Sequence, residues 1–268
     1  MAVSPGRGSI SSTSCGEPLA DRRVSGQPLQ RGRLYGRKRG RPLRAGQQGL
    51  LEGLLPRIAI DLPASNQLDP ALLFPRLPRS VWLEIGFGGG EHLAAQAEAH
   101  SDIGFFGCEV FENGIAKLLG AIERRQIENI RLLTRDARLL IAALPPASIG
   151  RVFILFPDPW PKARHLKRRI VSNEILDQLG GVMTDEAELC LASDDRDYFS
   201  SMLERVTGHP AFEWLARRPA DWRQRPGDWP PTRYEEKARA AGRASFFLRA
   251  RRRSRSRGIA YSCRSPRE

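Results

Sequence analysis

The sequence predicts an α/β fold built on a doubly wound, mostly parallel sheet. From residue 81 onward, short apolar runs alternate with segments of helical periodicity, which is typical of parallel sheets covered by helices. The run RVFILF at 151–156 is apolar enough to be buried on both faces. Ligands of such sheets bind beyond the carboxyl ends of the strands, so the residues that follow each strand are the first candidates for a site.

The individual elements follow from hydrophobic period and from helix-breaking residues. Strands are expected at 81–86, 103–110, 129–137, 151–156 and 188–194, with two late strands at 212–218 and 244–252. Helices are expected at 90–100, 112–127, 138–144, 173–183 and 196–208. Near the N-terminus, Pro56 should limit a short helix at 47–55, and Gly180 should stop the helix that begins at 173.

Positive charge is concentrated at the two ends of the chain. The net charge is +13 over 268 residues, which favours a polyanionic partner. Residues 1–50 hold 10 Lys or Arg against 2 Asp or Glu, and residues 249–268 hold 8 Arg against 1 Glu. We expect four regions: a disordered basic tail at 1–30, a basic arm with a short helix at 31–56, a main domain at 57–253 and an Arg/Ser-rich tail at 254–268.

Several classes of protein are disfavoured by composition. The four cysteines at 15, 108, 190 and 263 form no C-x-x-C pair, and the four histidines show no zinc-ligand spacing, so no metal is expected. The apolar runs fall short of the roughly 20 residues that a membrane helix needs, and the N-terminus lacks the apolar centre of a signal peptide. An organelle transit peptide is a less favoured alternative to disorder there. We expect a cytoplasmic protein with reduced thiols.

A glycine-rich turn follows the first predicted strand. In Glu84-Ile85-Gly86-Phe87-Gly88-Gly89-Gly90, Gly86 and Gly88 permit a tight turn and a close approach of a ligand to the backbone. A dinucleotide fingerprint aligned on Gly86 would require a third glycine at position 91, which is Glu91. Glu84 would also repel a pyrophosphate. The turn therefore favours a nucleoside without phosphates over NAD.

Carboxylates also follow the next two predicted strands. Glu109 lies 23 residues beyond Gly86, a spacing at which an acid commonly accepts hydrogen bonds from a ribose diol. Asp136 follows the third strand, where it could meet an adenine amino group. Together with Glu84, these acids suit the sulfonium, ribose and adenine of S-adenosyl-L-methionine. The alternative is that the three acids are solvated loop residues, which their position after consecutive strands disfavours.

The fourth strand leads into a stiff acidic corner and then into a basic cluster. Three prolines flank Asp158 and Trp160 in PDPWP at 157–161, which fixes the backbone and should present Asp158 over the cofactor pocket. Trp160 offers a face for base stacking, worth about 1–3 kcal/mol. The cations that follow could bind nucleic-acid phosphates; they are Lys162, Arg164, Lys167, Arg168 and Arg169. The alternatives are a packing tryptophan in an ordinary Pro-rich loop and a solvated basic loop.

Four segments together resemble the bacterial TrmB family of tRNA (guanine-N7-)-methyltransferases. They are LEIGFGGG at 83–90, GCEV at 107–110, FPDPWPKARHLKRR at 156–169 and TRYEEKA at 232–238. The first two are shared with many class I methyltransferases, whereas the last two are specific. The resemblance covers roughly residues 33–252. It departs from the family at Leu166, where a second histidine is common, and the tail beyond Arg253 has no family counterpart.

The resemblance implies a class I S-adenosylmethionine-dependent methyltransferase fold at 57–253, with an antiparallel C-terminal strand. It implies Asp158 as the catalytic residue. It implies a cofactor site formed by Glu84, Gly86, Gly88, Glu109, Asp136 and Asp158. It implies substrate contacts from Lys162, Asp194, Thr232, Arg233, Tyr234 and Glu235. From the charge and position of the basic cluster we expect tRNA backbone contacts from Arg164, Lys167, Arg168 and Arg169. The substrate would be a guanine of the tRNA variable loop, conventionally position 46.

Some alternatives stay open at the level of sequence. A methyltransferase of exocyclic amino groups would carry an acid-Pro-Pro-aromatic motif, but Asp158-Pro159-Trp160 lacks the second proline. A non-catalytic RNA-binding protein on the same fold is a further alternative, which the intact carboxylates disfavour. Asp194 could cap a helix instead of binding substrate. Asp158 could stabilise charge or read the guanine, and the sequence does not distinguish a monomer from a homodimer.

Overall fold

The described part of the chain contains one seven-stranded sheet. The computed structural model describes residues 38–63 and 68–255, together with Met1 and Gly36. The strands are β1 Ser80–Ile85, β2 Ile103–Cys108, β3 Ile130–Leu133, β4 Ile149–Leu155, β5 Met183–Ser193, β6 Phe212–Trp214 and β7 Phe246–Arg252. Their order is β3-β2-β1-β4-β5-β7-β6. The residues predicted as the disordered tail at 1–30, apart from Met1, and most of the predicted tail at 254–268 lie outside the described residues.

The sheet confirms the predicted fold class. Neighbouring strands among β1 to β5 run parallel, and β7 runs antiparallel to both β5 and β6. The chain passes from β1 to β2 and β3 on one side and then to β4 and β5 on the other. The carboxyl ends of β1 and β4 therefore meet at the switch in strand order, which is where ligands of such sheets bind.

Helices connect the strands. They are α1 Ala45–Gly53, α2 Leu55–Ile58, α3 Glu91–Ala99, α4 Glu112–Arg125, α5 Ala137–Ala143, α6 Asn173–Val182, α7 Arg196–Gly208, α8 Ala220–Arg223 and α9 Arg233–Ala240. Helix α1 ends before Pro56, as predicted, whereas the predicted stop at Gly180 is wrong. Pro56 lies in the first turn of α2, where its missing N–H removes no helical hydrogen bond. Gly180 lies inside α6, and a Cβ there would be 3.1 Å from the Ala211 Cβ. This glycine permits close packing instead of ending the helix.

Apolar layers cover both faces of the sheet. Phe105 and Phe106 are adjacent in β2, are both buried and belong to different clusters. One layer contains residues of α5, α6 and α7, and the other contains residues of α3 and α4. Trp229, in the loop before α9, is 2% exposed and packs with Phe153 of β4 and Phe247 of β7. That indole fixes the loop that leads to the segment TRYEEKA at 232–238 against the sheet.

Arg252 of β7 and Arg255, just beyond it, both bind protein groups near the end of α6. Arg252 is 8% exposed, and its Nε donates to the Gly180 carbonyl at 3.0 Å while its Nη1 donates to Asp185 at 2.7 Å. Arg255 donates through Nη2 to the carbonyls of Gly181 and Met183, each at 2.9 Å. The contacts to Gly180 and Gly181 satisfy carbonyls at the end of α6 that no helical N–H reaches. Part of the C-terminal positive charge is therefore structural.

Replacing Arg252 with Met should lower the free energy of unfolding by about 2–3 kcal/mol, because charged hydrogen bonds are lost and the Gly180 carbonyl stays buried. Urea denaturation followed by circular dichroism measures the change. Arg57→Met on the exposed side of α2 is the matched control and should change stability by less than about 0.5 kcal/mol. Equal effects of the two substitutions would show that the Arg252 contacts contribute nothing.

Candidate active site

The glycine-rich turn between β1 and α3 has the backbone that only glycine adopts readily. The φ angles of Gly86, Gly88 and Gly90 are 76°, 57° and 75°, in the left-handed region where a Cβ is unfavourable. The Gly86 N–H donates to the Cys108 carbonyl at 2.7 Å, which ties the turn to the end of β2. The predicted role of Gly86 and Gly88 in forming a tight turn agrees with this geometry.

Glu109 follows β2 directly, as predicted, and its carboxylate is fixed by backbone donors. Its Oε2 accepts from the Gly88 N–H at 2.8 Å. Its Oε1 accepts from the N–H groups of Val110 and Phe111 at 2.7 and 3.0 Å. Each carboxylate oxygen can accept more than one hydrogen bond. Glu109 is thus a preorganised anionic acceptor beside the turn, which suits a ribose diol.

Tyr234 of α9 lies over the same turn. A Cβ at Gly88 would be 2.9 Å from the Tyr234 Cε2, so the ring occupies the space that a side chain at this position would need. Burial raises the pKa of the Tyr234 hydroxyl, and the nearby carboxylates of Glu109 and Asp158 raise it further. The structure therefore brings one carboxylate after β2, one after β4 and the TRYEEKA segment to a single place.

Glu84 differs from Glu109 in being buried and paired. It is 3% exposed, and its Oε2 lies 2.7 Å from the Nδ1 of His92 in α3. His92 is 2% exposed, so both members of this pair are away from solvent. A buried carboxylate needs such a partner to avoid a large desolvation penalty. His92 was not among the residues singled out from the sequence, because a histidine on a helical face carries no site signal by itself.

Asp136 lies three residues beyond the end of β3 and caps α5. Its Oδ1 accepts from the Arg138 backbone N–H at 3.0 Å, and the Arg138 guanidinium also binds this carboxylate, with Nε at 3.0 Å from Oδ1. Burial raises the pKa of the Cys108 thiol, as do the charges of Asp136 and Glu109. Both carboxylates therefore lie close enough to the buried Cys108 thiol to disfavour its thiolate.

The acidic corner after β4 has a strained backbone. Phe156 and Trp160 have φ angles of 51° and 44°, which are costly for residues with a side chain and persist only where surrounding contacts enforce them. The Phe156 N–H donates to the Ala192 carbonyl at 2.8 Å. Asp158 itself is exposed. The two strained residues flank a carboxylate that is accessible to a ligand.

Two arginines of the basic cluster support this corner. The Arg169 Nε donates to the Pro159 carbonyl at 2.7 Å, and its guanidinium lies 4.5 Å from the centre of the Tyr198 ring. The Arg168 guanidinium lies 4.8 Å from the centre of the Trp160 ring. Both guanidinium groups therefore help to position the loop, and their predicted contact with tRNA phosphates stays a prediction. Lys162, Arg164 and Lys167 are exposed, and phosphate contact remains a prediction for Arg164 and Lys167.

Substituting Arg169 with Lys should lower turnover at saturating tRNA by roughly 10- to 100-fold, because lysine keeps the charge but loses the planar stack and the fixed N–H donor. The affinity for tRNA should change by less than about threefold. Lys167→Ala is the matched control: it should weaken tRNA binding and flatten its log–log salt dependence by roughly 0.7–0.9, with little effect on the saturated rate. An Arg169→Lys variant that loses affinity but keeps its rate would contradict the positioning role.

Asp194 does not cap the helix that follows β5. The N-cap of α7 is Asp195, whose Oδ1 accepts from the Tyr198 N–H at 2.7 Å. The Asp194 carboxylate instead accepts from Arg243, with Nη2 at 2.8 Å and Nε at 3.0 Å. The capping alternative for Asp194 is therefore wrong, and its predicted contact with substrate would be made beside Arg243.

The predicted substrate residues Thr232 to Glu235 form the first turn of α9. Thr232 is the N-cap, and its Oγ1 accepts from the Glu235 N–H at 3.1 Å. The Glu235 Oε1 accepts from the Arg225 Nε at 3.2 Å, whereas its Oε2 is buried and has no hydrogen-bond partner among the described residues. Arg233 is exposed. The unpartnered Glu235 oxygen is an acceptor that a ligand with N–H donors would satisfy.

These residues fit S-adenosyl-L-methionine better than a phosphate-bearing cofactor. The turn carries no lysine or arginine between Glu84 and Glu91, and the fixed Glu109 carboxylate faces its backbone. Hydrogen-bond acceptors and negative charge suit a diol and a sulfonium, whereas they would repel a pyrophosphate. The predicted cofactor ligands are Glu84, Gly86, Gly88, Glu109, Asp136 and Asp158, and their contact with the cofactor stays a prediction. Among the described residues, no group of three or more His, Cys, Asp or Glu side chains could hold a metal ion.

Comparisons with known proteins decide the family. Residues 78–248 match a family model described as "Putative methyltransferase". A tRNA (guanine-N(7)-)-methyltransferase of Paramagnetospirillum magneticum is 52% identical over 228 residues, which are 84% of this chain and 95% of that protein. The enzyme of the same name from Rhodospirillum rubrum is 48% identical over 233 residues, 86% of this chain and 91% of that protein. The chain belongs to the tRNA (guanine-N(7)-)-methyltransferase family.

A solved structure of an rRNA methylase from Streptococcus thermophilus is also similar, at 15% identity and a TM-score of 0.46, over 65% of this chain and 87% of that chain. The family match confirms the resemblance seen in LEIGFGGG, GCEV, FPDPWPKARHLKRR and TRYEEKA. In the part of the chain that the structure describes, no helix is long and apolar enough to cross a membrane.

Proposed function

We propose that this enzyme transfers a methyl group from S-adenosyl-L-methionine to N7 of guanine 46 in the variable loop of tRNA, in the cytoplasm. The observation that carries the proposal is the convergence of Glu109, Asp158 and the first turn of α9 at the glycine-rich turn. The Tyr234 ring lies over Gly88, and the charges of Glu109 and Asp158 both raise the pKa of its hydroxyl. A nucleoside cofactor and a base would meet there.

The chemistry needs no general base. S-adenosyl-L-methionine supplies an electrophilic methyl group on a positively charged sulfur. Guanine N7 has an in-plane lone pair, so the N–C bond forms as the C–S bond breaks, the bonding electrons stay on sulfur, and no proton leaves. The purine gains positive charge in this step. The enzyme therefore has to orient the two reactants and stabilise that charge.

Two carboxylates divide these tasks. Asp158 is exposed on a corner whose backbone is fixed by Arg169, so its charge can face the purine as positive charge develops. Glu235 holds a buried oxygen without a partner, and guanine presents N1–H and N2–H donors on the edge away from N7. We assign charge stabilisation to Asp158 and recognition of the guanine edge to Glu235. Lys162 and Asp194 are left as further contacts to the nucleotide.

The exposed cations next to the corner would bind phosphates of the tRNA. Lys162, Arg164 and Lys167 lie within six residues after Pro161 and are exposed. Phosphate contacts on an ordered frame fix the register of a nucleic acid, whereas base contacts specify the target. A base held in the tertiary stack of a tRNA would have to turn out to reach Asp158.

Identification of the methylated nucleoside tests the proposal. The purified enzyme should be incubated with unmodified tRNA transcript and S-adenosyl-L-methionine, and the digested RNA analysed by mass spectrometry. N7-methylguanosine is expected, and it should disappear when guanine 46 is replaced by adenine. A methylated exocyclic amino group would instead support a methyltransferase of exocyclic amino groups. RNA binding without any methylated nucleoside would support a non-catalytic RNA-binding protein on the same fold.

A further inference from the structure

A chain of buried polar side chains runs from the cofactor site into an otherwise apolar layer. Glu84, His92 and Gln96 are 3%, 2% and 1% exposed. Burying three such groups costs free energy unless each is hydrogen-bonded. Leu93 and Ala94, on the same helix, show that α3 can bury apolar side chains against the sheet. The polar groups at 92 and 96 therefore need a reason beyond filling space.

The first link joins Glu84 to His92. The His92 Nδ1 lies 2.7 Å from the Glu84 Oε2, and a carboxylate partner places a proton on that nitrogen. The other ring nitrogen, Nε2, is then an acceptor, and the Gln96 Nε2 lies 3.5 Å from it. His92 thus holds the Glu84 carboxylate on one side and faces Gln96 on the other.

The second link joins Gln96 to the loop before α9. The Gln96 Nε2 donates to the Asp228 carbonyl at 2.8 Å, across 132 residues of sequence. The Asp228 carboxylate binds the Arg151 Nη2 at 2.8 Å. Phe153 contacts both α3 and this loop, with its ring centre 4.7 Å from that of His92 and 5.9 Å from that of Trp229.

The third link connects this loop to Glu235, the carboxylate assigned to the guanine edge. The Arg225 guanidinium donates through Nη1 to the Trp229 carbonyl and through Nε to the Glu235 Oε1, the latter at 3.2 Å. Trp229 is 2% exposed, so its backbone cannot move without repacking. The placement of Glu235 therefore depends on the segment that Gln96 holds.

We propose that His92 and Gln96 are positioning residues that couple occupation of the cofactor site to the placement of the Asp228–Glu235 segment for tRNA. This inference rests on the proposed function, because it takes Glu84 as a cofactor ligand and Glu235 as a substrate ligand. A ligand that fixes Glu84 also fixes His92 and Gln96, and so favours one arrangement of the loop before α9. Coupling of this kind is reciprocal: each ligand should tighten the binding of the other by the same factor.

The test is a thermodynamic cycle with S-adenosylhomocysteine and tRNA on the full-length enzyme. The affinity for tRNA should be measured with and without saturating S-adenosylhomocysteine, for the parent and for Gln96→Leu. The parent should show tighter tRNA binding with S-adenosylhomocysteine present, by a factor of about 5 or more, within the usual range for coupled sites. In Gln96→Leu that factor should fall below about twofold, while the affinity for S-adenosylhomocysteine alone changes by less than about threefold.

Two further variants separate coupling from simple structural support. His92→Asn can keep a donor for Glu84 while losing the contact to Gln96, so it should bind S-adenosylhomocysteine but lose the coupling. Gln96→Met serves in place of Gln96→Leu if the latter does not fold. Unchanged coupling in the variants, or a parent without coupling, overturns the inference even if the enzyme methylates tRNA normally. A parent that binds neither S-adenosylhomocysteine nor tRNA overturns the proposed function instead.

Discussion

Replacing Asp158 with Asn should lower the single-turnover rate of methyl transfer by about 100- to 1,000-fold, the usual effect of removing one preorganised group that stabilises transition-state charge. Asparagine keeps the size of the side chain but not its charge. The strained backbone on either side of Asp158 is held by Arg169 and by the β4–β5 edge, so the corner should keep its shape. The loss should therefore fall on the chemical step and not on the fold.

The rate should be measured with enzyme in excess over tRNA at saturating S-adenosyl-L-methionine. Asp61→Asn, at an exposed position before β1, is the matched control and should leave the rate unchanged. Equilibrium binding of S-adenosylhomocysteine shows whether the variant keeps its cofactor site. A rate within threefold of the parent would remove Asp158 from the catalytic role.

Replacing Gly114 with Ala should weaken binding of S-adenosylhomocysteine by about tenfold or more. A Cβ at Gly114 would lie 2.1 Å from the carbonyl oxygen of Gly88, which is far inside contact distance. The obstructing atom belongs to the backbone of the glycine-rich turn, so no side chain can move to relieve it. Overpacking by one methyl group costs about 1–3 kcal/mol, and displacing the turn also disturbs the Gly88 N–H bond to Glu109.

Gly120→Ala on the same helix is the control, because a Cβ there would meet only the Leu50 Cδ1 at 3.8 Å. It should leave affinity unchanged and, since alanine favours helices, should not lower stability. Calorimetric titration gives the two affinities, and thermal unfolding shows whether either variant is folded. Parental affinity in Gly114→Ala would mean that the close packing of α4 on the turn is not required for the cofactor site.

The sheet could be predicted because the sequence patterns that indicate its strands are local. The alternation of apolar runs and helical segments gave each of β1 to β5 in its place, although β5 begins at Met183 instead of 188 and β6 ends at Trp214 instead of 218. The predicted stop at Gly180 was wrong because the effect of a glycine depends on its neighbours. Inside α6 it permits close packing against Ala211, which lies 31 residues further along the chain.

The candidate site was predicted only where it follows from strand ends and from family motifs. Glu109 and Asp158 follow buried strands, so their positions could be read from the sequence. The contact between Gly88 and Tyr234 joins residues 146 positions apart, and no local pattern specifies it. His92, Gln96 and Gly114 were missed for the same reason, since each acts through a distant partner.

The partners of the basic residues also could not be predicted from the sequence. A run such as KRR at 167–169 predicts a phosphate-binding surface on charge alone. The structure places two of its guanidinium groups on aromatic rings, and others in the C-terminal strand on carbonyl groups. Charge can be counted from the sequence, but its partners depend on the fold. In this cluster Lys162, Arg164 and Lys167 are exposed, whereas Arg168 and Arg169 are partly buried.

The central claim, that the lone pair of guanine N7 takes the methyl group at this site, is tested most directly with a modified tRNA. A transcript with 7-deazaguanosine at position 46 keeps the N1–H and N2–H edge but has a C–H in place of N7. Binding and methyl transfer should be measured for this tRNA and for the unmodified transcript. The account predicts near-equal affinity and no methyl transfer to the deaza tRNA. Methylation of the deaza tRNA at position 46 would contradict it.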